Sequence, residues 1–114
     1  MKIIYNNIFP FKRFAAINIF GFIFARKEYG VLSAHIINHE AIHTAQMKEL
    51  LYIFFYLWYT VEWTAKWIRY RNPDRAYMNI SFEREAYANQ YNLEYLQTRP
   101  RFAFLRYLKK RLEP

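Results

Sequence analysis

All three histidines of the chain, His35, His39 and His43, fall within nine residues. In a helix, positions four apart lie on one face, so His39 and His43 project side by side and can share one metal ion. Glu40 stands about 100° round the helix from His39, close enough to a metal-bound water to take its proton. Two imidazoles and a carboxylate base suit Zn²⁺, which accepts a tetrahedral site with one open position. His35 shares roughly that face one turn earlier and reads as a surface or hydrogen-bonding residue beside the ligands. The chain has no cysteine, which excludes thiolate and disulfide chemistry and leaves imidazoles and carboxylates as the strong ligands.

Two imidazoles leave a tetrahedral ion one protein ligand short. From Ser81 onward, Phe82, Ala86, Asn89, Leu93 and Leu96 recur at helical spacing and predict an inward stripe. Glu85 abuts that stripe, whereas Glu83 aligns with Tyr87, Gln90, Glu94 and Gln97 in what reads as a solvated face. A carboxylate at the edge of an apolar stripe is costly unless it is paired or bound to metal. Glu85 is therefore the preferred third ligand and Glu83 the alternative. Asn89 is placed to accept a hydrogen bond from a ligand imidazole and so fix its tautomer.

The run His39-Glu40-Ala41-Ile42-His43, followed by Glu85-Ala86-Tyr87-Ala88-Asn89, resembles the gluzincin metallopeptidases. In that family a His-Glu-x-x-His helix is completed by a Glu on a later helix, often in a Glu-x-x-Ala-Asp setting, as in the CAAX-processing and antirepressor membrane peptidases. The chain departs from the pattern at Asn89, where the family has Asp. The resemblance implies Zn²⁺ held by His39, His43 and Glu85, with Glu40 as general base in hydrolysis of a peptide or protein substrate. It also implies a Tyr or His that stabilises the oxyanion, and leaves open which of the 11 tyrosines that is. An extended peptide is expected to pair with a strand edge near Phe22 to Ala25.

These residues need elements to carry them. Residues 2 to 25 are rich in β-branched and aromatic side chains and predict two or three short strands, the last within Phe14 to Ala25. Asn6-Asn7 and Pro10 mark turns, and Gly21 marks a bulge or bend. After a polar turn at Arg26 to Gly30, Ser33 is a fair N-cap for a helix through both histidines to about Lys48. From Glu49 to Tyr70 the pattern is helical and apolar on nearly every side. Its charge-free run, Leu50 to Val61, falls short of the roughly 20 residues a bilayer span requires. A central core helix is the reading, with Glu62 and Lys66 as an i,i+4 pair. A membrane-surface helix is the alternative, since Trp, Tyr and Lys on one helix suit an interface. Pro73 ends it, a helix from Ser81 to Gln97 follows, and Pro100 breaks the chain again. Phe102, Leu105, Leu108 and Leu112 mark a last amphipathic helix with a basic outer face. The expectation is one domain over residues 1–114, of α+β class: a small N-terminal sheet packed on three to four helices around a zincin-like core.

The net charge is +8, from 17 Lys and Arg against 9 acids, and aromatics make up 22% of the chain. Such a surface suits an acidic partner. A second class of function is therefore a catalytically weak or inactive metal-binding module that works through its basic aromatic surface on a membrane or a protein. Nucleic acid has only charge in its favour, with no recognised motif. The first residues lack the unbroken apolar run of an export signal, so the expected location is the cytoplasm, including the membrane surface.

Overall fold

The computed structural model describes residues 2–8 and 15–108. The Pro10 turn, Phe14, and Leu112 of the last predicted helix lie outside the described residues. Within them the fold is α+β: three short strands, then helices.

Strands β1 (Lys2–Asn6), β2 (Ala16–Ile19) and β3 (Phe22–Arg26) form a mixed sheet in the order β1-β3-β2. β3 runs parallel to β1 and antiparallel to β2. The turn between β2 and β3 is Phe20-Gly21, with φ of 52° and 93°. Two positive φ values in a two-residue loop match the twist of a hairpin, so Gly21 turns the chain between strands and makes no bulge within one. The strained Phe20 is held from outside: its ring packs 5.0 Å from that of Tyr56, and its N–H donates to Tyr56 Oη at 2.9 Å. Phe22 to Ala25 consequently belong to the central strand, paired on both sides. The expected substrate edge is not there; among the described residues the edge strand facing the helices is β2.

Helix α1 (Ala34–Glu49) carries both histidines inward. Ser33 stands at its N-cap, but its hydroxyl meets His35 Nδ1 at 3.1 Å and caps no backbone N–H. The pattern suggested continuous helix from Glu49; instead α2 (Ile53–Tyr70) starts after a sharp corner at Leu51-Tyr52, with φ of 55° and 62°. No glycine or proline announces that corner. It is closed by Tyr52 N–H donating to Met47 O at 2.7 Å, the type of bond that ends a helix with a left-handed residue.

Nor is α2 a central core helix. Phe55 and Glu62 are its buried residues, and Phe54, Leu57, Val61 and Ile68 are exposed on the opposite side. Glu62 makes the expected pair with Lys66 at 2.8 Å and also accepts from Ser81 N–H and Oγ, each at 2.7 Å. It thereby caps the next helix but one. Pro73 both stops α2 and opens α3 (Pro73–Met78), whose cap is Asn72, accepting from the N–H groups of Asp74 and Arg75.

Helix α4 (Ser81–Asn89) is shorter than the pattern suggested. The Asn38 amide on α1 donates to the carbonyls of Asn89, Gln90 and Asn92 at 3.2, 2.9 and 3.0 Å, which satisfies the orphaned end of α4 and fixes where it stops. Leu93 and Leu96 beyond it are exposed, outside the expected inward stripe. A single turn, α5 (Tyr95–Thr98), and a 3₁₀ segment, Ala103–Tyr107, follow. Phe104 from that segment joins Met47, Phe55, Ile80 and Phe82 in the main core. The Phe82 ring lies 4.5 Å from that of Phe55 and 4.8 Å from that of Phe104. Each such buried side chain contributes roughly 1.5–3 kcal/mol, and together they lock α1, α2 and α4 around the histidines. Among the described residues, no helix is long and apolar enough to cross a membrane.

Candidate metal centre

The three polar atoms that meet between α1 and α4 are His39 Nε2, His43 Nε2 and Glu83 Oε1. Each lies 3.2 Å from the other two. Tetrahedral zinc, with ligands at about 2.0–2.1 Å, requires ligand atoms about 3.3 Å apart, so the triangle fits such an ion. His39, His43 and Glu83 are all buried and form a group that can hold a metal ion.

The inward nitrogens are set by what the outward ones touch. His39 Nδ1 donates to Gln90 Oε1 and His43 Nδ1 to Gln46 Oε1, both at 2.8 Å. A carboxamide oxygen only accepts, so in each neutral imidazole the proton sits on Nδ1 and the lone pair of Nε2 points at the centre. The Gln46 amide is oriented in turn: its nitrogen donates to Phe82 O at 3.1 Å and to Glu85 Oε1 at 2.9 Å. Tyr59 Oη donates to Glu83 Oε2 at 2.8 Å, leaving Oε1 toward the imidazoles.

Metal-free, the group is an ion pair. Burial alone would lower the His43 pKa, but Glu83 beside it, helped by Glu40 and the Gln46 bond, pushes it up to about 9. Burial would likewise raise the Glu83 carboxyl, and His43 and then His39 outweigh it, holding Glu83 well below the usual carboxylate range. Glu40 is raised, chiefly by burial, against the pull of His43 and His39 and with a push from Glu83. An ion entering the group must displace the imidazolium proton.

The expected third ligand is elsewhere. Glu85 is 0% exposed, but its carboxylate accepts from Arg99 Nε at 2.5 Å, Tyr95 Oη at 2.7 Å and the Gln46 amide. Arg99 also binds Glu49 through Nη1 at 2.9 Å and Nη2 at 3.1 Å. A carboxylate against the apolar stripe needed a partner, and the partner is a guanidinium. Two positions apart on a helix is about 200°, so Glu83 and Glu85 face opposite ways, and the centre lies on the side of Glu83. The start of the stripe read as solvated faces the imidazoles: Glu83 is 4% exposed, and the Tyr87 ring stands edge-on to His39 at 4.5 Å, while Tyr87 itself, Glu94 and Gln97 are exposed as expected. Asn89 donates to Glu85 O at 2.8 Å and leaves the imidazole to Gln90, one residue on. His35 stacks on Tyr91 at 4.5 Å, outside the group.

Glu40 borders a cleft of about 290 Å³ beside the centre, walled by Ile17 and Asn18 of β2, Phe55 and Tyr56 of α2, and Tyr77 of α3. Asn18 ties β2 to α1 by donating to Glu40 O and Thr44 Oγ1, both at 2.8 Å. Tyr77 Oη lies 3.0 Å from Tyr87 Oη. Gln46 and Gln90 were missed in the sequence, yet Gln46 sits three after His43 and Gln90 seven after Glu83, the spacings that share a helix face. Compared with protein-family models, curated proteins and solved structures, the chain matches none.

Proposed function

We propose that the chain is a zinc-dependent peptidase whose ligands are His39, His43 and Glu83 and whose general base is Glu40. The observation that carries this reading is the convergence of two Nε2 atoms and one carboxylate oxygen at 3.2 Å, with a fourth titratable group, Glu40, opening onto the adjoining cleft. The two-nitrogen, one-oxygen donor set suits Zn²⁺ among the divalent ions. When bound, such an ion supplies a Lewis acid that activates water near neutral pH and polarises a carbonyl.

The chain's own residues supply the rest. Glu40 takes a proton from the attacking water and returns it to the leaving amine. Tyr77, which lines the cleft and is held far above the ordinary phenol range by burial and then by Glu83, stays protonated and donates to the developing oxyanion. An extended substrate pairs with β2, whose Ala16, Ile17 and Asn18 border the cleft, and it places an apolar side chain among Met47, Phe55 and Tyr56.

The test is zinc content and turnover of a peptide library by the wild type beside Glu40→Gln. Equal zinc in both, with turnover lost about a hundredfold or more in the variant, supports the reading. Zinc bound by both with no turnover in either favours the metal-binding module without catalysis.

A further inference from the structure

The outward side of α2 is an apolar ridge with nothing packed on it among the described residues. Phe54, Leu57, Val61 and Ile68 follow one another at helical spacing, each more than half exposed, with Ile68 at 73% and Val61 at 68%. Thr64 and Ala65 fill the gap, so no charge interrupts the stripe. At 1.5 Å per residue, it runs about 21 Å. With Leu51 and Ile53 at its start, it exposes on the order of several hundred Å² in one strip, the size at which a patch marks an interaction site.

The charges around it say what kind of surface it meets. Exposed Lys48 stands before its start, and exposed Arg69, Arg71 and Arg75 gather at its end. Arg75 lies over the Tyr70 ring at 4.4 Å, and the Trp63 and Trp67 rings meet at 4.8 Å, tilted by 38°, along the flank. Glu40, Glu62, Glu83 and Glu85 are buried, and Glu49 is bound to Arg99. Of the exposed acids among the described residues, Glu28, Asp74 and Glu94, Asp74 stands in sequence among the arginines at the ridge's end, which stays net cationic. A second copy of the chain would bring the same cations to the same ridge. An anionic lipid surface complements both the apolar strip and its cationic ends, with Trp and Tyr at the level where headgroups meet acyl chains.

We infer that α2 is a membrane-surface helix, laid in the plane of an anionic bilayer with Phe54, Leu57, Val61 and Ile68 buried in it. This site is separate from the metal centre and stands whether or not the chain hydrolyses peptides.

The experiment is co-sedimentation of the full chain with vesicles of phosphatidylcholine alone or mixed with phosphatidylserine, at low and high salt. The variants are Leu57→Gln with Val61→Gln, and Arg69→Gln with Arg71→Gln; all four residues are exposed, so the fold survives, as circular dichroism will verify. The wild type binds the anionic vesicles and is released by salt. The apolar double variant loses about tenfold or more in partition. The arginine variant loses about fivefold per charge, the weight of one cation near an anionic leaflet. No binding to anionic vesicles, or binding indifferent to Leu57 and Val61, overturns the inference. So does a concentration-dependent dimer abolished by the same two glutamines, since the ridge would then be a protein interface.

Discussion

Gln46 Oε1 accepts a hydrogen bond from His43 Nδ1 at 2.8 Å, and both side chains are buried. The imidazole nitrogen that faces the centre is therefore chosen by an amide that never reaches it. Gln46→Met keeps the volume and removes the acceptor, so metal affinity should fall about tenfold to a hundredfold. Competition with a chromophoric chelator measures this, and melting in excess chelator measures the separate cost to the fold. Unchanged affinity would mean that His43 needs no such partner.

Glu83 and Glu85 should part cleanly. Glu83→Gln is expected to lose stoichiometric zinc. Glu85→Gln is expected to keep it while losing about 3 kcal/mol of stability, because the buried Arg99 is left with Glu49 alone. Elemental analysis and urea unfolding of the two variants decide the matter, and zinc lost only with Glu85 would reverse the assignment.

Alkali should unfold the chain. Burial raises the phenols of Tyr56, Tyr77, Tyr87 and Tyr95 in the folded state. A raised folded pKa keeps the proton on, so the contribution is complete below the unfolded value of about 10 and is lost as pH rises through and beyond it. The urea midpoint should be steady at neutral pH and fall from about pH 10 upward. A midpoint that stays flat while tyrosinate absorbance rises would contradict this burial.

The α1–α2 corner carries removable strain. Leu51 is exposed and has φ of 55°, a region that costs a leucine roughly 1–2 kcal/mol and an asparagine less. Leu51→Asn should raise stability by up to about 1 kcal/mol, read as a higher melting temperature. A lower one would assign the leucine a contact within the fold.

The order of strands and helices was legible because alternation, prolines and caps are local: Pro73 ended one helix, and His39 and His43 needed only their spacing to share a face. The third carboxylate was not. Polarity at Glu83 and Gln90 was read as exposure to water, whereas Glu83 is buried against both imidazoles and Gln90 bonds one of them; Tyr87 is exposed as read, yet also sets its ring edge-on to His39. Glu85 was judged correctly to need a partner, but the partner, Arg99, lies 14 residues on, across a helix end set by Asn38. Likewise, α2 showed apolar residues all round; the fold uses one side, and nothing local distinguishes a buried apolar face from one held out for another surface.

Helix α2 turns opposite sides to two different surroundings. Phe55, Tyr56 and Tyr59 line the cleft, while Phe54, Leu57, Val61 and Ile68 look away from it. A helix with its side chains is about 10–12 Å across. If the proposed hydrolysis and the proposed lipid contact both hold, scissile bonds within roughly that height of the bilayer come within reach, and the helix would act as a ruler that selects a substrate by how far it stands from the membrane before its sequence is read.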